Sequence, residues 1–338
     1  VKDIEPFSWR KLLLPLGACA LALASAVVIC PLFGREALNW RDVFFGASDN
    51  MSRDIFFHAR WPRVWTAVLA GGGLALAGVA FQALLRNPLA SPFTLGISAG
   101  ASLGVIVALH LGWTTLFGGI SALPLAAFVG CMATAGLAAF VAGTRRDWQT
   151  STLLLAGVII HFFFSGIIML LQMRGRDVDV LVAMRWTMGN LSVVDFSPVT
   201  QVLGVALPAM MLLWALARPL NLLAAGDEAA QSRGVNTQLV KRLVFIAASL
   251  LAAAIVSVVG PIGFVGIIVP HAVRMIFGAD HRVVIPCSIL TGGAFLVVCD
   301  TVGNSVFPPP DIPVGVITAI VGGPFFVWLL RRGGRAMF

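Results

Sequence analysis

The sequence predicts an all-α, polytopic membrane protein with about ten transmembrane helices, and three observations carry that prediction. Only 11% of its 338 residues are charged while 59% are hydrophobic. A soluble domain carries about 25% charge, so this chain has too little polar surface to face water. Its apolar residues lie in long charge-free runs, matched to the roughly 20 residues a helix needs to cross a bilayer. Its Lys and Arg concentrate in alternate connections between those runs, as the positive-inside rule requires. A soluble enzyme, a nucleic-acid-binding protein and a disordered chain are excluded.

The runs follow in order. Residues 12–34 form the first. Lys2, Arg10 and Lys11 before it resemble the start of a signal peptide, but the run is too long for one and lacks an A-x-A-type cleavage site, so it is read as a retained span. Residues 64–85 form the second. Residues 87–144 are charge-free but far too long for one helix, and fold back near 112–119 to give spans three and four. Residues 148–173 and 196–217 are the fifth and sixth. The run 243–273 is broken by Gly260-Pro261, because Pro cannot continue a helix and Gly loosens it. It yields a seventh span at 239–259 and a short eighth at 262–278. Residues 283–301 and 312–330 are the ninth and tenth. The connections 35–60, 174–195 and 218–241 are each large enough for a short surface helix and no more, so the chain is one transmembrane domain over 1–338.

Ten is even, so both termini share a side. With the N-terminus in the cytoplasm, inside connections hold 15 of the 23 Lys+Arg and 6 of the 15 acids, which puts +9 inside and −1 outside and accounts for the net +8. The basic balance therefore reports orientation, with both termini cytoplasmic, and needs no nucleic acid. Tyr is absent, so the interfacial belt falls to Trp alone. Trp9, Trp61, Trp65, Trp113, Trp148, Trp214 and Trp328 all lie near span ends. The five Cys form no CxxC pair and read as small apolar core residues, with no metal site among them.

Several motifs have both a functional and a structural reading. Gly96, Gly100 and Gly104 make a small-residue face for close helix packing. In 219–236, Gly226, Asp227, Glu228, Ala229, Ala230, Gln231, Ser232, Arg233 and Gly234 place acids first and Arg last, the charge order a short helix prefers. Small Ala229 and Ala230 offer a face to another protein; the alternative is a solvated loop helix. Arg60 and Arg63, about one turn apart at the outer start of span two, either grip a carboxylate of a soluble partner or anchor the helix by snorkelling to headgroups. His161 lies inside span five, His271 and Arg274 inside span eight. The spans hold no mid-membrane Asp or Glu, which ion-coupled carriers usually use, and no lysine sits in a Walker A loop.

Together these residues resemble the FecCD-type permeases, the membrane subunits of type II ABC importers for ferric siderophores, heme, cobalamin and related chelates. The resemblance rests on GVAFQALLRNPLASPFTLGISAGASLG at 78–104, on Trp186-Thr187-Met188-Gly189-Asn190-Leu191, on GPIGFVGIIVPHAVRMIFG at 260–278, on Asp300, and on Ile312-Pro313-Val314-Gly315 through Gly323-Pro324-Phe325-Phe326. It implies a non-catalytic permease dimer, homodimeric or with a paralogue, in a bacterial inner membrane. It implies two ATPase subunits holding ATP and Mg below, and a periplasmic binding protein above. Spans 2–5 and 7–10 would be inverted repeats. Residues 226–234 match the coupling helix, and Arg60 and Arg63 the pair that docks the binding protein. The family often carries an Arg where this chain has Asn304, which implies a weaker docking bridge or a transfer of that role to Arg53 or Arg185. The pathway would be lined by His161, Ser165, Met169, Gln172, Met173 and Trp186. The chain itself would hold no cofactor. A ferric siderophore is the expected substrate, with heme or cobalamin as alternatives and an ATPase-independent secondary transporter as the rival from another class.

Overall fold

The computed structural model describes residues 9–34, 38, 40–45, 51–115, 121–143, 150–175, 177–191, 195–305 and 312–332. Lys2, Arg145, Arg146, Trp148 and Arg335, which contribute to the predicted orientation and interfacial belt, lie outside them. The described residues are helical throughout apart from connections and one isolated bridge between Thr115 and Ser121. The order is α1 (Trp9–Ile29), α2 (Trp40–Phe45), α3 (Met51–Asp54), α4 (Trp61–Leu85), α5 (Ile97–His110), α6 (Leu123–Ala142), α7 (Thr150–Arg174), α8 (Asp177–Thr187), α9 (Ser197–Ala215), α10 (Ala217–Ala224), α11 (Asp227–Gln231), α12 (Thr237–Val259), α13 (Val265–Phe277), α14 (His281–Ser305) and α15 (Val314–Arg332).

Each of the ten predicted spans has a helix: α1, α4, α5, α6, α7, α9, α12, α13, α14 and α15. Among the described residues, six helical stretches are long and apolar enough to cross a bilayer alone, and α9 with α10 makes a seventh bent by 55°. The helices of spans three, eight and ten are shorter apolar segments. For α5 and α13 the reason is local. Gly96 (φ 73°) and Phe264 (φ 68°) hold the left-handed conformation immediately before them, so neither helix can extend backward. Phe264 is the costlier of the two, because a side-chain-bearing residue there is strained. Gly260 (φ 72°) and Pro261 end α12 where the sequence predicts a break. Asn236 starts α12, its side-chain oxygen accepting the Leu239 N–H at 3.0 Å, as an N-cap should.

The core is built on α4, whose residues from 70 to 85 are all buried. It packs on α12, α13 and α14, while α12 packs on α4, α5 and α6. Exchanging α4 with α12, α5 with α13 and α6 with α14 maps this contact set onto itself. Close approach depends on glycine. Gly71 lies against the backbone of Gly292 on α14, Gly78 against Gly266 on α13, and Gly100 on α5 against Gly130 on α6. The small-residue face of span three is thus a helix–helix contact. By contrast α7 turns Phe162, Phe163, Met169 and Met173 outward. A second, smaller apolar cluster of Leu38, Val43 and Phe56 sits under α2 and α3 beside Trp61.

Candidate functional site

Two polar sites lie at opposite ends of α4. At its C-terminal end, α10 and α11 form a short helical corner. Arg86, in the left-handed conformation that terminates α4, donates from Nε to the Leu223 carbonyl at 3.0 Å and from Nη2 to Asp227 Oδ1. Lys241 on α12 donates to the other oxygen of Asp227 at 2.5 Å. Asp227 therefore ties α11 to both central helices, and its place at the helix N-terminus suits an anion. Next to it, Asn221 on α10 donates to Asp280 at 2.7 Å and accepts the His281 N–H at 2.8 Å. This fastens α10 to the α13–α14 corner. Asp280 also takes three hydrogen bonds from the Arg282 guanidinium, two of them from a shared Nε–H. Burial pushes its carboxyl up, but the hydrogen bonds from Arg282 and Asn221 outweigh that and hold it below the ordinary aspartate range.

Within 226–234 the expected face is only half right. Glu228, Ala229 and Arg233 are exposed, but Ala230 is 0% exposed and belongs to the core. A five-residue helix tied at Asp227 must turn one side inward, and Ala230 is on that side. Gly226 (φ 129°) and Gly234 (φ 79°) make the turns on either side.

At the other end of α4, Arg63 forms a fork with Asp300 on α14: Nε to Oδ2 at 2.7 Å and Nη2 to Oδ1 at 2.9 Å. Asn304 accepts from the same Nη2 at 3.0 Å and donates to Asp300 at 3.2 Å. Arg60 donates to the carbonyls of Pro31 at 2.8 Å and Phe33 at 3.4 Å, closing the end of α1. Both guanidinium groups are committed to acceptors within the chain, and Arg63 is a tie between α4 and α14. Asn304 is the third member of that tie. Arg53 and Arg185 are exposed.

Five of the six lining residues, His161, Ser165, Met169, Gln172 and Met173, share one face of α7, and Trp186 lies on α8. Met169 and Met173 are exposed on α7 at 67% and 86%, and Gln172 is half-buried beside them. Ser165 spends its hydroxyl on the His161 carbonyl at 2.7 Å. The His161 ring lies between Phe93 and Phe162, and its Nδ1 is buried without a hydrogen-bond partner among the described residues. Trp186 stands apart, at the end of α8, where its carbonyl meets Gly260 and where Asn190 N–H bonds the Val259 carbonyl at 2.7 Å.

Sequence reasoning missed Gln82. It is buried on α4, donating from Nε2 to the Gly266 carbonyl at 2.9 Å and accepting from Arg274 at Oε1, both on α13. The signal that marks it is Pro270, which lacks an N–H and so leaves the carbonyl four residues earlier, that of Gly266, without a helical partner.

A multi-pass helical bundle with a tied helical corner at one end has the architecture of a membrane permease subunit, and comparison with known proteins gives its class as a permease subunit of a type II ABC importer. Residues 21–332 match the FecCD transport family, and the chain belongs to that family. It is 41% identical over 280 residues to the cobalamin import system permease of Halobacterium salinarum, covering 82% of this chain and 74% of that one. It is 37% identical over 317 residues to the Fe(3+) dicitrate transport system permease of Escherichia coli, covering 92% and 96%. It is 35% identical over 314 residues to the hemin transport system permease of Yersinia pestis, covering 92% of each. Among solved structures, an inward-facing metal-chelate type ABC transporter superposes with a TM-score of 0.81 at 28% identity, over 94% of this chain and 99% of that one.

Proposed function

We propose that this chain is the non-catalytic translocation subunit of an ATP-driven importer for an iron chelate, a ferric siderophore, in a bacterial inner membrane with both termini cytoplasmic. It works as a dimer, with itself or a paralogue. Two ATPase subunits carry ATP and Mg below it, a periplasmic binding protein delivers substrate above, and the chain holds no cofactor of its own. The observation that supports this reading best is Asp227, held by Arg86 of α4 and Lys241 of α12. A short helix fastened to both central helices delivers any push on its exposed face, Glu228, Ala229 and Arg233, into the membrane core. Relatives named for cobalamin, hemin and Fe(3+) dicitrate share a bulky metal chelate as cargo. The exposed methionines and half-buried polar groups of α7 suit such a cargo, which slides past a mostly apolar wall without a tight site.

Reconstitution of the chain with its ATPase and binding protein in proteoliposomes tests this. ATP-dependent uptake of a ferric siderophore is expected, with hemin and cobalamin as the competing cargoes. Uptake without the ATPase, driven by an ion gradient, overturns the reading. Ala229→Glu is expected to release the ATPase on copurification. Ala230 is unsuitable for that test, because a Glu there disrupts the core before it touches a partner.

A further inference from the structure

We propose that Gln82 is a positioning residue that carries movement of the α10–α11 corner to α13, acting as the clamp on a proline break in that helix. The inference rests on the coupling role proposed above for the corner. Gly78 and Gln82 are four apart and share one face of α4, and Arg86 is the left-handed residue that caps the same helix. Each makes a different kind of contact. Arg86 holds the Leu223 carbonyl and Asp227, the corner itself. Gln82 holds α13 through Gly266 and Arg274. Gly78 meets Gly266 backbone to backbone. One buried helix and the residue that caps it thus join the corner to α13.

The chemistry of the Gln82 contact sets it apart from ordinary packing. Pro270 lies inside α13 and cannot donate to Gly266, so the helix has a weak point between its first and last turns. Gln82 spans that weak point. Its amide N–H fills the vacancy at Gly266 in the first turn, while its carbonyl oxygen takes the guanidinium of Arg274 in the last. A side chain with one donor and one acceptor is required; an apolar residue of the same size leaves a buried carbonyl and a half-buried cation unmet. While both bonds hold, α13 follows α4. Without them, α13 is free to flex at Pro270 independently of the corner.

The test uses the full complex with its ATPase subunits, in a background whose five native cysteines are replaced by alanine. Nitroxide pairs Ser232→Cys with Phe140→Cys, and Ile276→Cys with Phe140→Cys, report the corner and α13 against a common reference on α6; all three sites are exposed. Distances are measured nucleotide-free and after trapping with ATP and vanadate. In the otherwise unaltered chain both distances are expected to change on trapping. In Gln82→Leu the corner distance should still change, while the α13 change falls by more than half. Pro270→Ala, which gives Gly266 a helical partner again, is added to Gln82→Leu as the folding control and should recover thermal stability without recovering the α13 movement. If α13 moves as far in Gln82→Leu as in the parent, Gln82 is only a packing residue. If neither distance changes in the parent, the coupling role of the corner fails, and this inference with it.

Discussion

The two ends of α4 solve the same problem, a charge close to the membrane edge, in opposite ways. At one end Arg63 and Asp300 make a private pair: one cation, one carboxylate, a two-point fork, and Asn304 to complete it. Their side chains are only 20% and 10% exposed. At the other end a single carboxylate, Asp227, is shared by Arg86 and Lys241 from two helices and is itself 39% exposed. A closed pair fixes two helices relative to each other. A shared, half-solvated carboxylate joins three elements and leaves one of them, α11, facing outward. The difference teaches that charge at a helix end holds the bundle still where it is buried and paired, and connects the bundle to the outside where it is divided.

The comparison can be broken or sharpened by substitution. The largest effect is expected from Asp300→Ala, which leaves Arg63 buried without its anion and should destabilise the protein by about 3 kcal/mol, measured as a fall in detergent melting temperature. If Asp300→Ala melts with the parent, the fork holds nothing. Asp227→Ala should cost about 2 kcal/mol, because it strips the nearly buried Lys241 of its charged acceptor. Its distinctive sign is loss of amide-exchange protection at Ala230 and Ser232, with none at α14. Asn304→Ala should cost about 1 kcal/mol, the value of its hydrogen bonds, and an equal loss at both ends of α4 in exchange experiments would contradict its local role. The smallest effect concerns pH. The hydrogen bonds on Asp280 hold its carboxyl below the ordinary aspartate range, so its contribution is fully present above the unfolded value and disappears as pH falls through the folded one. The melting difference between the parent and Asp280→Asn should therefore be constant near neutrality and shrink as pH falls below the ordinary aspartate range.

Composition made the bundle legible because lipid allows few alternatives. A helix that meets hydrocarbon must be apolar over its whole length, and every such run left a charge-free stretch. The break at Gly260-Pro261 was legible for the same local reason, two residues that cannot continue a helix. The polar ties were not. Arg63 and Asp300 lie 237 residues apart, and nothing in the chain near Arg63 announces that it ties to α14. Ala230 was misjudged because five residues are too few to show which side of a helix is apolar. Gln82 was overlooked because its role depends on a proline on another helix, and only the folded chain sets the two side by side.

The glycine contacts along α4 have a consequence for inheritance. A side chain at residue 71 or 78 would run into the backbone of Gly292 or Gly266, and each of those partners is itself a glycine with nothing left to trim. Ordinary compensation, in which a neighbour shrinks to admit a larger residue, is closed at both places. A revertant of Gly78→Ala recovered by selection should therefore carry either the original glycine or a change that shifts α13 bodily, and suppressors should map to the segments around Gly260 and Gly278, where that helix begins and ends, rather than to the contact itself.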